Sequence, residues 1–170
     1  MKLNLQNQDV VNYILNVVDF WQEEFKIDGL RLDVAYCLDK NFLQTLHNHV
    51  SRDFFLLGET LHGDYNQWMN ENMLDSVTNY ECYKGLYSSF NSANFYEILY
   101  SLNRQFGKDP WCLYTGKHLF NFVDNHDVER VASILEDKNQ LPLIYTILFT
   151  MPGIPCIYYG SEWGMEGTKN

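Results

Sequence analysis

The sequence is short of basic residues. Its 170 residues include 12 lysines and arginines against 22 aspartates and glutamates, so the formal net charge at pH 7 is −10. Nucleic acids and anionic membrane surfaces both attract positively charged protein surfaces. The charge balance therefore argues against a nucleic acid or a membrane as the partner of this chain.

Closely spaced cysteines and an apolar leader are also missing. The 4 cysteines lie far apart, without a C-x-x-C pair, and the chain does not resemble a small disulfide-stapled secreted domain. The first residues, MKLNLQNQDVVNY, contain no apolar core of a signal peptide. We therefore expect reduced cysteines and a cytoplasmic location.

No uninterrupted apolar run has the length of a membrane span. The longest apolar stretch, LPLIYTILFTMPGIPCIYY (141–159), is broken by Pro142, Pro152 and Pro155. This stretch therefore predicts a buried helix that is followed by a buried strand.

The sequence does contain a regular alternation of helical and strand patterns. The apolar spacing predicts helices over 7–26, 39–50, 64–72, 92–106, 128–137 and 141–151, and strands near residues 28, 54, 74, 119 and 155. The segment between the third and fourth strands exceeds a minimal crossover and predicts an insertion as well as a helix. Apolar strands that alternate with amphipathic helices predict an α/β fold, with a parallel sheet covered on both faces.

One predicted strand, in KIDGLRLDVA (26–35), carries two opposite charges on one face. Because side chains alternate along a strand, Arg31 and Asp33 share the face opposite Leu30 and Leu32. A solvated surface pair is the ordinary interpretation. The alternative is a functional pair at the end of a sheet, in which Arg31 keeps the Asp33 carboxylate ionised.

Polar residues follow three of the predicted strands and favour the functional interpretation. Asp33 ends the first strand, and Glu59 ends the strand in DFFLLGE (53–59). The strand near residue 119 is followed by Asn125, His126 and Asp127. Ligands of α/β proteins bind outside the carboxyl ends of the strands. We therefore expect these side chains to converge on one rim.

Two carboxyl groups in unlike surroundings suit the cleavage of a glycosidic bond, which requires one ionised and one protonated group. Asp33, beside Arg31, suits the ionised role. Glu59 follows an apolar strand, and an apolar setting disfavours the charged form of a carboxyl group, as a general acid requires. Asp127 and His126 are then expected to hold sugar hydroxyls.

Four motifs in order resemble those of the α-amylase superfamily of glycoside hydrolases. They are GLRLDVA, LLGE, FVDNHD and GIPCIYYGSEWGM (153–165). Gly58-Glu59, followed by His62, Trp68 and Asn79-Tyr80, looks closest to the cyclomaltodextrinase and neopullulanase group.

The resemblance implies roles for these residues. Asp33 is implied as the nucleophile, with Arg31 as its partner, and Glu59 as the acid/base. His126 and Asp127 are implied to bind the sugar and to stabilise the transition state, and Asn125 belongs to the same motif. The implied activity is retaining hydrolysis, or transglycosylation, of α-glucosidic bonds in maltooligosaccharides and α-glucans.

The resemblance also implies a (β/α)₈ barrel, which usually takes about 250 residues. We therefore expect residues 1–170 to form the C-terminal part of a barrel, roughly strands four to eight, truncated at both ends. Such a piece is expected to be inactive alone and to self-associate through its exposed barrel edges. No cofactor or metal is assigned, because the usual calcium ligands of the superfamily lie mostly outside this chain.

Two alternatives come from other functional classes. One is a self-contained flavodoxin-like binding domain, which would need a glycine-rich loop after its first strand; no Gly-x-Gly pattern occurs. The other is a carbohydrate-binding remnant without catalytic activity, which the intact catalytic-type residues do not exclude.

Overall fold

The structure is a computed structural model that describes residues 3–169. The chain divides into two compact units, Met1–Val77 and Thr78–Asn170. In both units parallel strands alternate with helices, as the sequence predicts.

The first unit carries helices on a small parallel sheet. Its helices are α1 (Gln8–Phe25) and α2 (Lys40–His49), and its strands are β1 (Gly29–Leu32), β2 (Phe55–Gly58) and β3 (Ser76–Val77). The strands lie in the order β1-β2-β3, and each pair is parallel. The carboxyl ends of all three strands therefore lie at the same edge of the sheet.

Side-chain caps and apolar periodicity explain the helices of this unit. Asp39, the N-cap of α2, accepts hydrogen bonds from the backbone N–H groups of Asn41 and Phe42, which stabilises the start of this helix. One face of α2 is buried through Phe42, Leu43 and Leu46. Asn7 caps α1 in the same way, by accepting from the backbone N–H of Asp9.

The second unit is richer in helix. Its elements are α3 (Tyr80–Asn91), α4 (Tyr96–Phe106), β4 (Phe120–Phe122), α5 (Val131–Ile134), α6 (Leu141–Thr150) and β5 (Ile154–Cys156). Strands β4 and β5 pair in parallel, and Thr78 forms an isolated parallel bridge with Phe120. A buried apolar cluster joins α3, α4 and α6 around Val123 and Val131.

Helix α3 is the largest difference from the sequence prediction, which places an insertion and one helix in this region. Cys82, Leu86 and Phe90 are buried along one face of α3. Gly85 lets this helix approach α4 closely, since a Cβ atom there would lie 3.3 Å from Ile98 Cα. Glycine and serine lower the intrinsic helix propensity of the segment, so tertiary packing rather than local preference stabilises α3.

Several predicted elements are shorter in the structure. The first and last strands end at Leu32 and Cys156, the helix predicted over 128–137 is confined to Val131–Ile134, and residues 64–72 contain one 3₁₀ turn, Tyr65–Gln67. The first strand stops early because Val34 adopts a left-handed conformation that cannot continue a strand.

A buried amide network fixes β4 against the two helices before it. Asn79 Nδ2 donates to Gln105 Oε1 at 2.9 Å and to Asn121 Oδ1 at 2.8 Å. Gln105 Nε2 donates back to Asn79 Oδ1 at 3.0 Å, and Asn121 Nδ2 donates to the backbone oxygen of Pro152 at 2.9 Å. Because buried amides are costly unless paired, this network stabilises one position of β4, and with it the polar segment that follows.

All four cysteines are free thiols, as expected. Burial, together with the nearby Glu81 carboxylate, raises the pKa of Cys82 to about 12. Within residues 3–169 no helix is both long enough and apolar enough to cross a membrane. The cytoplasmic location stays a prediction.

Candidate active site

Two acidic residues follow neighbouring strands of the first unit. Leu32 at the end of β1 is the register partner of Gly58 at the end of β2, so Asp33 and Glu59 occupy equivalent positions at the carboxyl edge. Neighbouring strands lie about 4.8 Å apart. The structure thus brings the backbones of these two predicted residues together.

The Glu59 carboxyl group is held from both sides. The residue is 6% exposed. Its Oε2 accepts a hydrogen bond from the backbone N–H of Val34 at 2.9 Å, and its Oε1 lies 3.5 Å from Arg31 Nη2. Glu59 is therefore buried, as expected, but a guanidinium and an amide contact it in addition to the apolar strand.

The predicted pairing of Arg31 with Asp33 is wrong, because the ion pair in the structure joins Arg31 to Glu59. The register explains the difference. Arg31 lies opposite Leu57, and Glu59 follows two residues later on the same face, within reach of a long side chain.

Asp33 is exposed, and within the described part of the chain its carboxylate has no hydrogen bond or ion pair. Together with Arg31 it lines a pocket of about 320 Å³ whose other walls include Ile14, Leu38 and Phe42. A carboxylate that is not engaged by the protein and borders a pocket is accessible to a bound ligand.

The second unit presents a polar turn after β4. The backbone N–H of Asp127 donates to Asn125 Oδ1 at 2.7 Å, and Asn125 Nδ2 donates to the Tyr80 hydroxyl at 3.2 Å. His126 Nε2 lies 3.0 Å from Asp127 Oδ2, and both side chains are partly exposed. The turn therefore brings the three predicted residues together within one short, internally hydrogen-bonded segment.

Asp124, which the sequence reasoning missed, anchors this turn. It is fully buried, and its Oδ2 accepts hydrogen bonds from the backbone N–H of Val131 at 2.9 Å and from Ser161 Oγ at 2.7 Å. The carboxylate thus ties the turn to the start of α5 and to the segment after β5. Its position inside the motif FVDNHD was the available signal.

Arg130 fixes the segment that follows β5. Its guanidinium lies 4.2 Å from the ring centroid of Tyr158 and 4.7 Å from that of Tyr159, and it donates to the Tyr159 backbone oxygen at 2.8 Å. Stacking of a guanidinium on aromatic rings is favourable. These contacts place part of the motif at 153–165 beside the polar turn.

Among the described residues, no three metal-binding side chains lie close enough together to hold an ion. The absence of a metal or cofactor stays a prediction. So does the convergence of Asp33 and Glu59, in the first unit, with Asp127, in the second.

Comparison with known proteins gives consistent matches. The family model of the alpha amylase catalytic domain matches residues 1–170. A cyclomaltodextrinase of Bacillus sp. is 32% identical over 172 residues, which are 98% of this chain and 30% of that protein. Neopullulanase 2 of Thermoactinomyces vulgaris is 31% identical over 99% of this chain and 29% of its own length.

The solved structures that resemble this chain include the same kinds of protein as these sequence relatives. The alpha-amylase of Geobacillus thermoleovorans, complexed with acarbose, is 28% identical with a TM-score of 0.84, over 99% of this chain and 40% of that one. A cyclomaltodextrinase is 31% identical with a TM-score of 0.85, over 98% of this chain and 29% of that one. The chain spans about 30% of the length of the curated relatives that it matches.

Proposed function

Because the chain belongs to the alpha-amylase catalytic domain family, we propose that it carries the nucleophile and the acid/base of a retaining glycosidase. The proposed substrates are the α-glucosidic bonds of maltooligosaccharides and α-glucans. The family implies a (β/α)₈ barrel, and the parallel strands and helices of this chain agree with that fold. The proposal assigns the five strands to barrel strands four to eight.

The adjacency of Asp33 and Glu59 is the observation that carries the proposal. Retaining glycosidases hold their two carboxyl groups about 5–5.5 Å apart. Asp33 and Glu59 directly follow register partners on neighbouring parallel strands, whose backbones lie about 4.8 Å apart, and this backbone spacing is compatible with such a separation of the carboxyl groups. An exposed carboxylate beside a buried one also supplies the two unlike environments that the reaction needs.

The first step of the proposed mechanism forms a covalent intermediate. The Asp33 carboxylate attacks the anomeric carbon while Glu59 transfers its proton to the leaving glycosidic oxygen. The carbon–oxygen bond to the leaving sugar breaks, and a glycosyl ester forms on Asp33. Arg31, paired with Glu59 at 3.5 Å, stabilises the carboxylate that remains after the proton has left.

The second step releases the sugar. Glu59 takes a proton from water, the resulting oxygen nucleophile attacks the anomeric carbon, and the bond to Asp33 breaks. Two inversions give retention of the α configuration. When a sugar hydroxyl replaces water, the same step is a transglycosylation.

The polar turn of the second unit is assigned to sugar recognition. In this proposal Asp127 acts with His126 on sugar hydroxyls and stabilises the transition state, and Asn125 orients the turn through its bond to the Asp127 backbone N–H. The solved neighbours include an alpha-amylase complexed with acarbose and a maltose-bound hydrolase of Arthrobacter globiformis. The acarbose and maltose bound by these two proteins support α-glucosides as the ligand class.

A non-catalytic carbohydrate-binding role is the second candidate. The unengaged Asp33 carboxylate at the edge of a pocket suits the binding of sugar hydroxyls without chemistry. Family membership removes the flavodoxin-like alternative.

A chimera tests the proposed reaction. Residues 1–170 replace the aligned segment of the Bacillus sp. cyclomaltodextrinase, which is 30% of that protein, and folding is checked by circular dichroism. We expect the folded chimera to hydrolyse maltotriose, with the α anomer as the first product in proton NMR. A folded chimera that binds maltotriose without cleaving it favours the non-catalytic role, and a β anomer contradicts the retaining mechanism.

The 170-residue chain alone is expected to self-associate and to have little or no amylolytic activity. β1 and β5 lie at sheet edges within their units, and unpaired edges favour association. Large apolar side chains are also exposed on α1 and α6, among them Tyr13, Phe25 and Phe149. Light scattering and a maltooligosaccharide assay check this, and a monomer with normal turnover contradicts it.

A further inference from the structure

Val34 has a backbone conformation that its side chain disfavours. The residue directly after Asp33 has φ 47° and ψ 42°, in the left-handed region. Two other described non-glycine residues have positive φ: Lys26 at the end of α1 and Ala93 between α3 and α4. Val34 is the β-branched member of this set, and β-branched residues are rare outliers there.

The left-handed turn directs two successive amides at Glu59. The backbone N–H of Val34 donates to Glu59 Oε2 at 2.9 Å, and the N–H of Ala35 donates to the Glu59 backbone oxygen at 2.9 Å. If the strand continued through Val34, the Val34 N–H would lie in the plane of the sheet and would face the backbone of the neighbouring strand instead. Strained backbone of this kind persists where the surrounding structure requires it, and it is concentrated at functional sites.

We propose that Val34 is a positioning residue that determines which oxygen of Glu59 delivers the proton. This inference rests on the proposed acid/base role of Glu59. A protonated carboxyl group has one hydroxyl oxygen and one carbonyl oxygen, and the carbonyl oxygen is the better acceptor. Because the Val34 amide occupies Oε2, the proton resides on Oε1.

Arg31 lies near the other oxygen of the carboxyl group. Its Nη2 is 3.5 Å from Oε1, beyond ordinary hydrogen-bond distance, so it leaves Oε1 able to carry the proton, and its charge stabilises Oε1 once the proton has left. In the hydrolytic half of the reaction the same oxygen takes its proton back from water. The Val34 amide therefore keeps Oε2 out of the proton transfer in both directions.

The test uses NMR on the 170-residue chain at low concentration, so it does not depend on turnover. The backbone is labelled with ¹⁵N and the glutamate carboxyl carbons with ¹³C, and both signals are followed against pH. We expect the Val34 amide proton to shift with the same midpoint as the Glu59 carboxyl carbon. Arg31 and Asp33 are charged groups at the same edge, and Asp33→Asn shows whether the Val34 amide responds to Asp33 or to Glu59.

Two variants make the outcome decisive. Glu59→Gln is expected to abolish the pH response of the Val34 amide. Val34→Gly keeps an amide and tolerates the left-handed conformation, so the response at position 34 is expected to persist. Lys26→Gly is the matched control, because Lys26 also has a positive φ but lies between α1 and β1, and this substitution is expected to leave the response unchanged.

The inference is overturned if the Val34 amide does not titrate, or if it titrates equally in Glu59→Gln. Its failure and that of the proposed function are distinguishable. If the chimera is inactive but the Val34 amide still responds to pH, the catalytic role of Glu59 is wrong and the hydrogen bond is real. If the chimera is active but the amide does not respond, only the positioning role of Val34 is wrong.

Discussion

Replacing Asp33 by asparagine in the chimera is expected to lower kcat/KM for maltotriose by about 10⁴-fold or more, as removal of a nucleophile does in other hydrolases. The amide cannot form the glycosyl ester, and the neighbouring carboxyl group, Glu59, is already engaged by Val34 and Arg31. Little change in stability is expected, because Asp33 is exposed and not engaged within the described residues.

Asp28→Asn is the matched control for this substitution. Asp28 is exposed and precedes β1 at its opposite end. The control is expected to keep full activity. A tenfold loss of activity corresponds to only about 1.4 kcal/mol of transition-state stabilisation, which is too little for the loss of a nucleophile. If Asp33→Asn retains more than about a tenth of the activity, Asp33 is not the nucleophile.

Glu59→Gln is expected to affect substrates according to their leaving groups. General acid catalysis contributes about 10²–10⁴-fold, so maltotriose, with a poor leaving group, should lose activity in this range. The aryl group of an activated aryl α-glucoside leaves without protonation, so these substrates should lose far less activity in the first step. The comparison of kcat/KM for the two substrate types measures this difference.

The glutamine variant retains an oxygen that can accept a hydrogen bond from the Val34 amide, so the local structure at this edge of the sheet is expected to be retained. Glu71→Gln, at an exposed position, is the control and should leave both substrates unaffected. Equal losses for maltotriose and the aryl glucoside would show that Glu59 is not the acid.

Local sequence patterns were sufficient to predict much of this fold. The cap at Asp39 and the apolar stripe of α2 are encoded within a few residues of each other. Helix α3 was not predictable in this way, since Gly85 is useful only once α4 packs against it. The left-handed conformation of Val34 was not predictable either, because valine disfavours this conformation and the hydrogen bonds to Glu59 stabilise it.

The candidate site likewise combines features that local sequence predicts with features that depend on contacts in the folded chain. Strand ends are visible in the sequence, so Asp33 and Glu59 can be identified from it, whereas their adjacency follows only from the pairing of β1 with β2. The partner of Arg31 was mispredicted, because it depends on the register between β1 and β2. Asp124 was missed because its partners, Val131 and Ser161, are distant in sequence and become neighbours only in the folded unit.

Covalent trapping can identify the nucleophile by mass. A 5-fluoro-α-glucosyl fluoride destabilises both transition states, while its fluoride leaving group keeps the first step fast enough for a glycosyl ester to accumulate. We expect that peptide mass spectrometry of the treated chimera finds the added sugar on Asp33, and that Asp33→Asn abolishes the label. A label on another carboxylate of residues 1–170, or turnover of maltotriose by a chimera that never labels at Asp33, would contradict it.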